Sequence, residues 1–371
     1  MRDRVSLFPG RVKLTPVAGQ ENTFDLVRAD QPSQEGTPLN KASLLTDGVC
    51  EILGLDHDAT PNDAFLALCL PNGKYAVSVT VKSPGGRPIP NVTLSGLLTA
   101  AGNPVVTGTD GVGFGFATTS PVTVIADISS FLDLTGAARV TLTPTAGVVN
   151  KAEITCTRAS SAQTTLSSSK TVRFSPDVSE YDFSAIGGGF NGSEGSGDSI
   201  NNKEAAVGGN GGNAGGVINQ AGITYDGSAI SVIVGGIGGN SSVNGVLTGS
   251  GASGGVGARL VSETSSLFRN ASAGGNTTGF LYPPTEVGGA GGGGLARLAS
   301  SGSSVDAASG GTPGGGAGAT WINKPGSDGS RPGSGGGGGA GQSPGGSSGS
   351  IVTAGGSGQP GLVGFVWRYQ S

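Results

Sequence analysis

The sequence predicts a mostly β protein, and three features carry that expectation. Short apolar segments of period two recur between Tyr75 and Arg158, and Gly, Pro and Asp-Gly turn signals separate them. Beyond Ile186 the chain is dominated by glycine clusters. Of 73 glycines in 371 residues, 16 lie up to Ile186 and 57 beyond it, while only 12% of all residues are charged. Average proteins carry about 7% glycine and about 25% charged residues. The composition therefore changes at mid-chain, and four parts are expected: a docking segment over 1–72, a β-sandwich over 73–158, a linker and collar over 159–186, and a glycine-rich head over 187–371.

The first part alternates short apolar runs with turn residues. Arg11–Pro16 suits a short strand, and helices are expected to start at Thr37-Pro38 and Thr60-Pro61, where Thr caps and Pro occupies the first helical position. Helices this short need a partner surface, so the region reads as a docking segment. From Tyr75 the pattern is β. Tyr75–Val81 alternates cleanly, and further strands are expected at Val92–Leu97, Gly113–Ala117, Val122–Asp127, Ala138–Thr143 and Ala152–Arg158. Strands at this spacing argue for an antiparallel sandwich. Residues 159–170 have the composition of a Ser/Thr linker. Thr171–Pro176 and Tyr181–Phe183 then supply apolar sequence for a collar beneath the glycines.

The glycine clusters break the Gly-X-Y triplet, as Gly335–Gly339 shows, so collagen is excluded. A flexible linker is poor in large apolar residues, yet Val232–Val234, Leu267-Phe268, Phe280–Tyr282 and Trp321-Ile322 interrupt the clusters, and Leu362–Tyr369 follows them. An ordered alternative is a bundle of polyproline-II-type helices. Glycine in that conformation points free N–H and C=O groups outward, and neighbouring runs come close enough to satisfy each other. Ordering glycine is entropically expensive, so many runs must bond cooperatively. The intervening loops then gather at the ends of the bundle.

Several function classes are disfavoured. A net charge of −4, with no Lys/Arg block, gives nothing to neutralise phosphates. No run of about 18 apolar residues is present to span a bilayer. The leader Met1–Val5 lacks an apolar h-region, so Sec-type secretion is not expected, and the five Asn-x-Ser/Thr triplets carry no weight. Cys50, Cys69 and Cys156 are odd in number and lack metal-like spacing. The single histidine, His57, has no second ligand at metal spacing and reads as a solvated turn. Gly251–Gly255 and Gly345–Gly349 match G-x-S-x-G, but neither lies in a strand–turn–helix context. No catalytic residue, metal or cofactor is expected.

Three resemblances add to this reading. Gly86–Leu94 (G-x-P-I-P-N-V-x-L) and Thr109–Phe114 (T-D-G-x-G-F) resemble the transthyretin-like β-sandwich group, an alternative to an Ig-like sandwich. Phe8–Leu14, Phe24–Asp30 and Glu35–Ala42 resemble the leading region of tail-fibre proteins from phages and prophages of Gram-positive bacteria. Residues 187–371 resemble the glycine-rich tip adhesins of T-even-type phage long tail fibres in their alternation of glycine runs with diverse loops. These resemblances imply a virion protein assembled in the host cytoplasm, homotrimeric, attached to baseplate or tail proteins, and binding a host cell-surface receptor. The expected contacts are the loop aromatics Tyr225, Phe268, Phe280, Tyr282 and Trp321, which could equally be local core. The competing expectations are a structural fibre or baseplate component without receptor binding, and a polysaccharide-degrading tailspike working through paired carboxylates.

Overall fold

The computed structural model describes residues 74–200, 203–249, 251–261, 269–277, 279–298, 303–344 and 350–370, with 5–6, 12–18, 24–28, 32–34, 45, 50 and 60. The regular elements assigned among them are all strands, so the chain is mostly β. The residues named for the two expected helices, 38–40 and 61–68, lie outside the described set, as do Cys69, Phe268, His57 and Gly345–Gly349. Near the start, Val12–Pro16 pairs antiparallel with Phe24–Arg28, and Val5–Ser6 with Pro32–Gln34.

Residues 75–158 build a seven-stranded sheet in the order Arg139–Leu142, Val122–Asp127, Thr93–Leu98, Val112–Ala117, Tyr75–Lys82, Asn150–Thr155, with Pro104–Val106 beside Thr93–Leu98. Period-two sequence gives each strand one apolar face. Val77, Val79 and Val81 thus point inward with Leu94, Val124 and Ile154 into one core. Thr93–Leu98 meets Val112–Ala117 through the single pair Leu98–Phe116. Beyond it Gly113 and Gly115 leave room for Leu94, Leu97 and Val105, which any side chain at those positions would displace.

The Ser/Thr stretch expected as a linker carries strands instead. Gln163–Leu166 pairs antiparallel with Leu362–Tyr369, which in turn pairs with Val178–Ile186, and Val217–Thr224 completes this sheet of four. A second four-stranded sheet runs Lys170–Val172, Ile230–Ile233, Ser242–Val243, Val246–Leu247. Phe174, Tyr181, Phe183, Ile230, Phe365 and Trp367 belong to one core cluster that draws on both sheets. Full burial of each such side chain contributes roughly 1.5–3 kcal/mol, so this cluster gives the collar a hydrophobic core.

Collar and first sheet are clamped by two buried carboxylates in reciprocal positions. Asp133 accepts from the Ser175 N–H (2.8 Å) and Ser175 Oγ (2.5 Å). Asp177 accepts from Ser83 Oγ (2.6 Å) and the Gly85 N–H (2.8 Å). Backbone bonds Arg173 N–H to Ser130 O (2.7 Å) and Leu132 N–H to Arg173 O (2.9 Å) join the same surfaces, and Arg158 lies 3.8 Å from the centroid of the Tyr369 ring.

The glycine runs are ordered and laterally bonded. The run 333–341 lies at the centre and is buried from Gly333 to Gly341. Its N–H groups at Gly335, Gly338 and Gly341 donate to Gly289, Gly292 and Leu295, so every third residue faces the same neighbour. Gly336 and Gly339 donate to Phe190 and Ser193, and Gly337 to Ser327. In return its carbonyls accept from Gly209, Gly212, Gly316, Ala319 and Gly356. Backbone thus fills this core where side chains would elsewhere. A methyl group on Gly337 would overlap the Ala317 carbonyl, and one on Gly336 the Gly356 carbonyl. Small apolar clusters sit at the margins: Ile186, Phe280, Val287 and Leu362 next to the collar, and Leu295, Ala319 and Ala340 elsewhere.

Candidate functional site

The aromatic residues expected as contacts fall into different environments. Phe280 is only 2% exposed and packs on Ile186, Val287 and Leu362, so it is core and no surface contact. Tyr225 is half-buried against the collar core. Its ring stands edge-on to Phe174, its hydroxyl accepts the Phe174 N–H (3.1 Å), and burial pushes its phenol pKa up. Tyr225, expected on a loop, lies between Val217–Thr224 and Ile230–Ile233, which supply strands to both collar sheets, and this explains its burial. Tyr282 is half-buried, held by its N–H to Ser184 Oγ at 2.8 Å. Trp321 is different, with 65% of its surface exposed.

Trp321 borders a cavity of about 320 Å³ together with Leu295, Arg297, Ser304, Asp306, Thr320 and Ile322. Each wall is fixed by the glycine-rich framework. Arg297 sits on Ala296–Arg297, which pairs antiparallel with Ser304–Val305 and parallel with Gly341–Gln342. Leu295 donates its N–H to Ala319 O (3.2 Å), and Ala319 to Gly338 O (2.8 Å), which tethers the Thr320–Ile322 wall. The Lys324 N–H closes a turn onto Trp321 O (3.1 Å). The floor is apolar, because Ile322 packs against the cluster of Leu295, Ala319 and Ala340. Among the described residues, neither the Arg297 nor the Asp306 side chain has an ion-pair or hydrogen-bond partner, although both line the cavity. An exposed indole beside an unengaged cation, an unengaged anion and two hydroxyls can bind an amphipathic ligand. Sequence reading singled out Trp321 but missed Arg297, Asp306 and Thr320, which come together only through the lateral bonding of separate glycine runs.

A second cavity, of about 250 Å³, lies between first sheet and collar, lined by Phe131, Arg173, Phe174, Tyr225 and Asp226 among others. Nearby, burial and the Asp133 charge push the Cys156 thiol up to about 11, which keeps it protonated at neutral pH. The G-x-S-x-G match at Gly251–Gly255 lies in a laterally bonded run, where Gly251 donates to Ala214 O (3.1 Å) and Gly255 to Gly291 O (2.7 Å). Among the described residues no group of three or more His, Cys, Asp or Glu could hold a metal ion, and no helix is long and apolar enough to cross a membrane. No protein-family model and no curated protein matches the chain.

Proposed function

We propose that this chain is a phage tail-fibre adhesin whose glycine-rich part binds a host cell-surface receptor. The observation that carries the reading is the Trp321 cavity, an open amphipathic hollow held by a backbone-bonded framework. In this reading the glycine runs are polyproline-II-type helices. Their bonding repeats every third residue, and that helix has three residues per turn. The runs are scaffold, and the segments between them meet the receptor. The unit over 73–158 serves as a spacer of transthyretin-like or Ig-like sandwich type, and residues 1–72 attach the fibre to baseplate or tail proteins. Assembly in the host cytoplasm as a homotrimer completes the proposal.

The experiment is direct binding of labelled full-length protein to a panel of Gram-positive and Gram-negative cells. The protein should bind a narrow subset of strains, and Trp321→Ala should lose that binding while keeping its melting temperature. Binding to no strain, or undiminished binding by the variant, would count against the adhesin. Release of soluble sugar fragments from bound cells would favour a degrading spike instead.

A further inference from the structure

Resting on the adhesin reading, we propose that the Trp321 cavity is a subsite for one neutral pyranose ring of a surface glycan. Size comes first. Small-molecule pockets run from about 300 to 1,000 Å³, and at about 320 Å³ this hollow suits a single ring. The surface chemistry follows. A pyranose has an apolar C–H face and a rim of hydroxyls, each both donor and acceptor. The indole of Trp321 offers a flat apolar face to the first. Arg297 donates, Asp306 accepts, and Thr320 can do either, which meets the second.

Charge decides between sugar classes. Among the described residues the lining carries one cation and one anion, so a uronate or phosphate that gains from Arg297 is opposed by Asp306, and an amine meets the reverse. An uncharged polyol engages both through charge-assisted hydrogen bonds without that conflict. Neither group has a partner among the described residues, so binding a sugar breaks no existing ion pair. The floor and walls are already locked by backbone bonds, so little ordering is lost when the ring enters.

The chain has two tryptophans, and Trp367 is buried at 3% exposure, so solvent quenching of fluorescence reports on Trp321. Full-length protein is titrated with the methyl glycosides of glucose, galactose, mannose and N-acetylglucosamine, with glucuronate and phosphocholine as charged controls. At least one neutral glycoside should shield Trp321 from acrylamide. Arg297→Gln and Asp306→Asn should each weaken that protection about tenfold or more, equivalent to one good polar contact. Both residues lie on the surface of the hollow, and an unchanged Trp367 emission verifies the fold. Protection by the charged controls alone, or by none of the panel, overturns the subsite. The same preparations are tested on cells. Cell binding without glycoside protection sinks the sugar assignment and spares the adhesin, whereas glycoside protection without binding to any strain does the opposite.

Discussion

Asp133 and Asp177 both stitch the collar to the first sheet. Burial pushes the Asp133 carboxyl up, against the pull of hydrogen bonds from Ser175, and the Asp177 charge adds to the rise. A raised folded pKa means the fold prefers the protonated acid. Its contribution is complete below the unfolded value and is lost as pH climbs through the folded one. Asp133→Asn, which keeps one acceptor and carries no charge, should therefore melt with the parent at about pH 3 and above it at about pH 7. Equal melting temperatures across that range would refute the assignment. Asp133→Ala should instead cost about 1–3 kcal/mol, since the Ser175 N–H is left unpaired. Asp182 has the opposite sign. Burial would raise its carboxyl, but the Arg368 guanidinium (2.6 Å) and the Gly222 N–H (2.8 Å) hold it below the usual carboxylate range. That contribution is present above the unfolded value and is lost as pH falls through the lowered one. The two carboxylates thus respond to acid in opposite directions.

In the glycine runs the unit of stability is the run as a whole, because successive residues bond to different neighbouring runs. Gly337→Ala drives a methyl group into the Ala317 carbonyl and should destabilise the glycine-rich half by about 1–3 kcal/mol or more, read as faster proteolysis beyond Ile186. Gly236→Ala is the control, since a methyl group there meets nothing within 4 Å. The glycine clusters were legible in sequence because composition alone demands a special backbone, and the strands over 75–158 because their alternation is strong. Two elements were not. Gln163–Leu166 reads as a polar linker, with Leu166 its one buried side chain, and becomes a strand only by pairing with Val363–Val366 far along the chain. Val217–Thr224 is an edge strand with no buried residue, so it carries no periodic signal. For the same reason the aromatics could not be sorted beforehand: whether Tyr225 or Trp321 is exposed depends on which distant strand or run lies beside it.

At the level of the whole molecule, the glycine-rich half is inserted between two neighbouring strands of one sheet, Val178–Ile186 and Leu362–Tyr369. Framework and collar therefore meet through Ile186, Phe280, Val287 and Leu362, while Phe365 and Trp367 fill the collar core beside them. Phe365→Ala should cost about 3–5 kcal/mol and shift the emission of the newly wetted Trp367 to the red. The first sheet contains no tryptophan and should keep its own far-ultraviolet transition. A single transition lost from both units at once would show instead that they fold as one. The same insertion has a consequence in time. While the ribosome translates residues 187–361, Val178–Ile186 waits with one flank open, displaying Tyr181 and Phe183 to any similar nascent chain nearby. The flank is sealed only when Leu362–Tyr369 is made. Closure of the collar therefore waits on translation of the whole glycine-rich stretch, and a chain that stops before Leu362 keeps Val178–Ile186 with an unpaired edge.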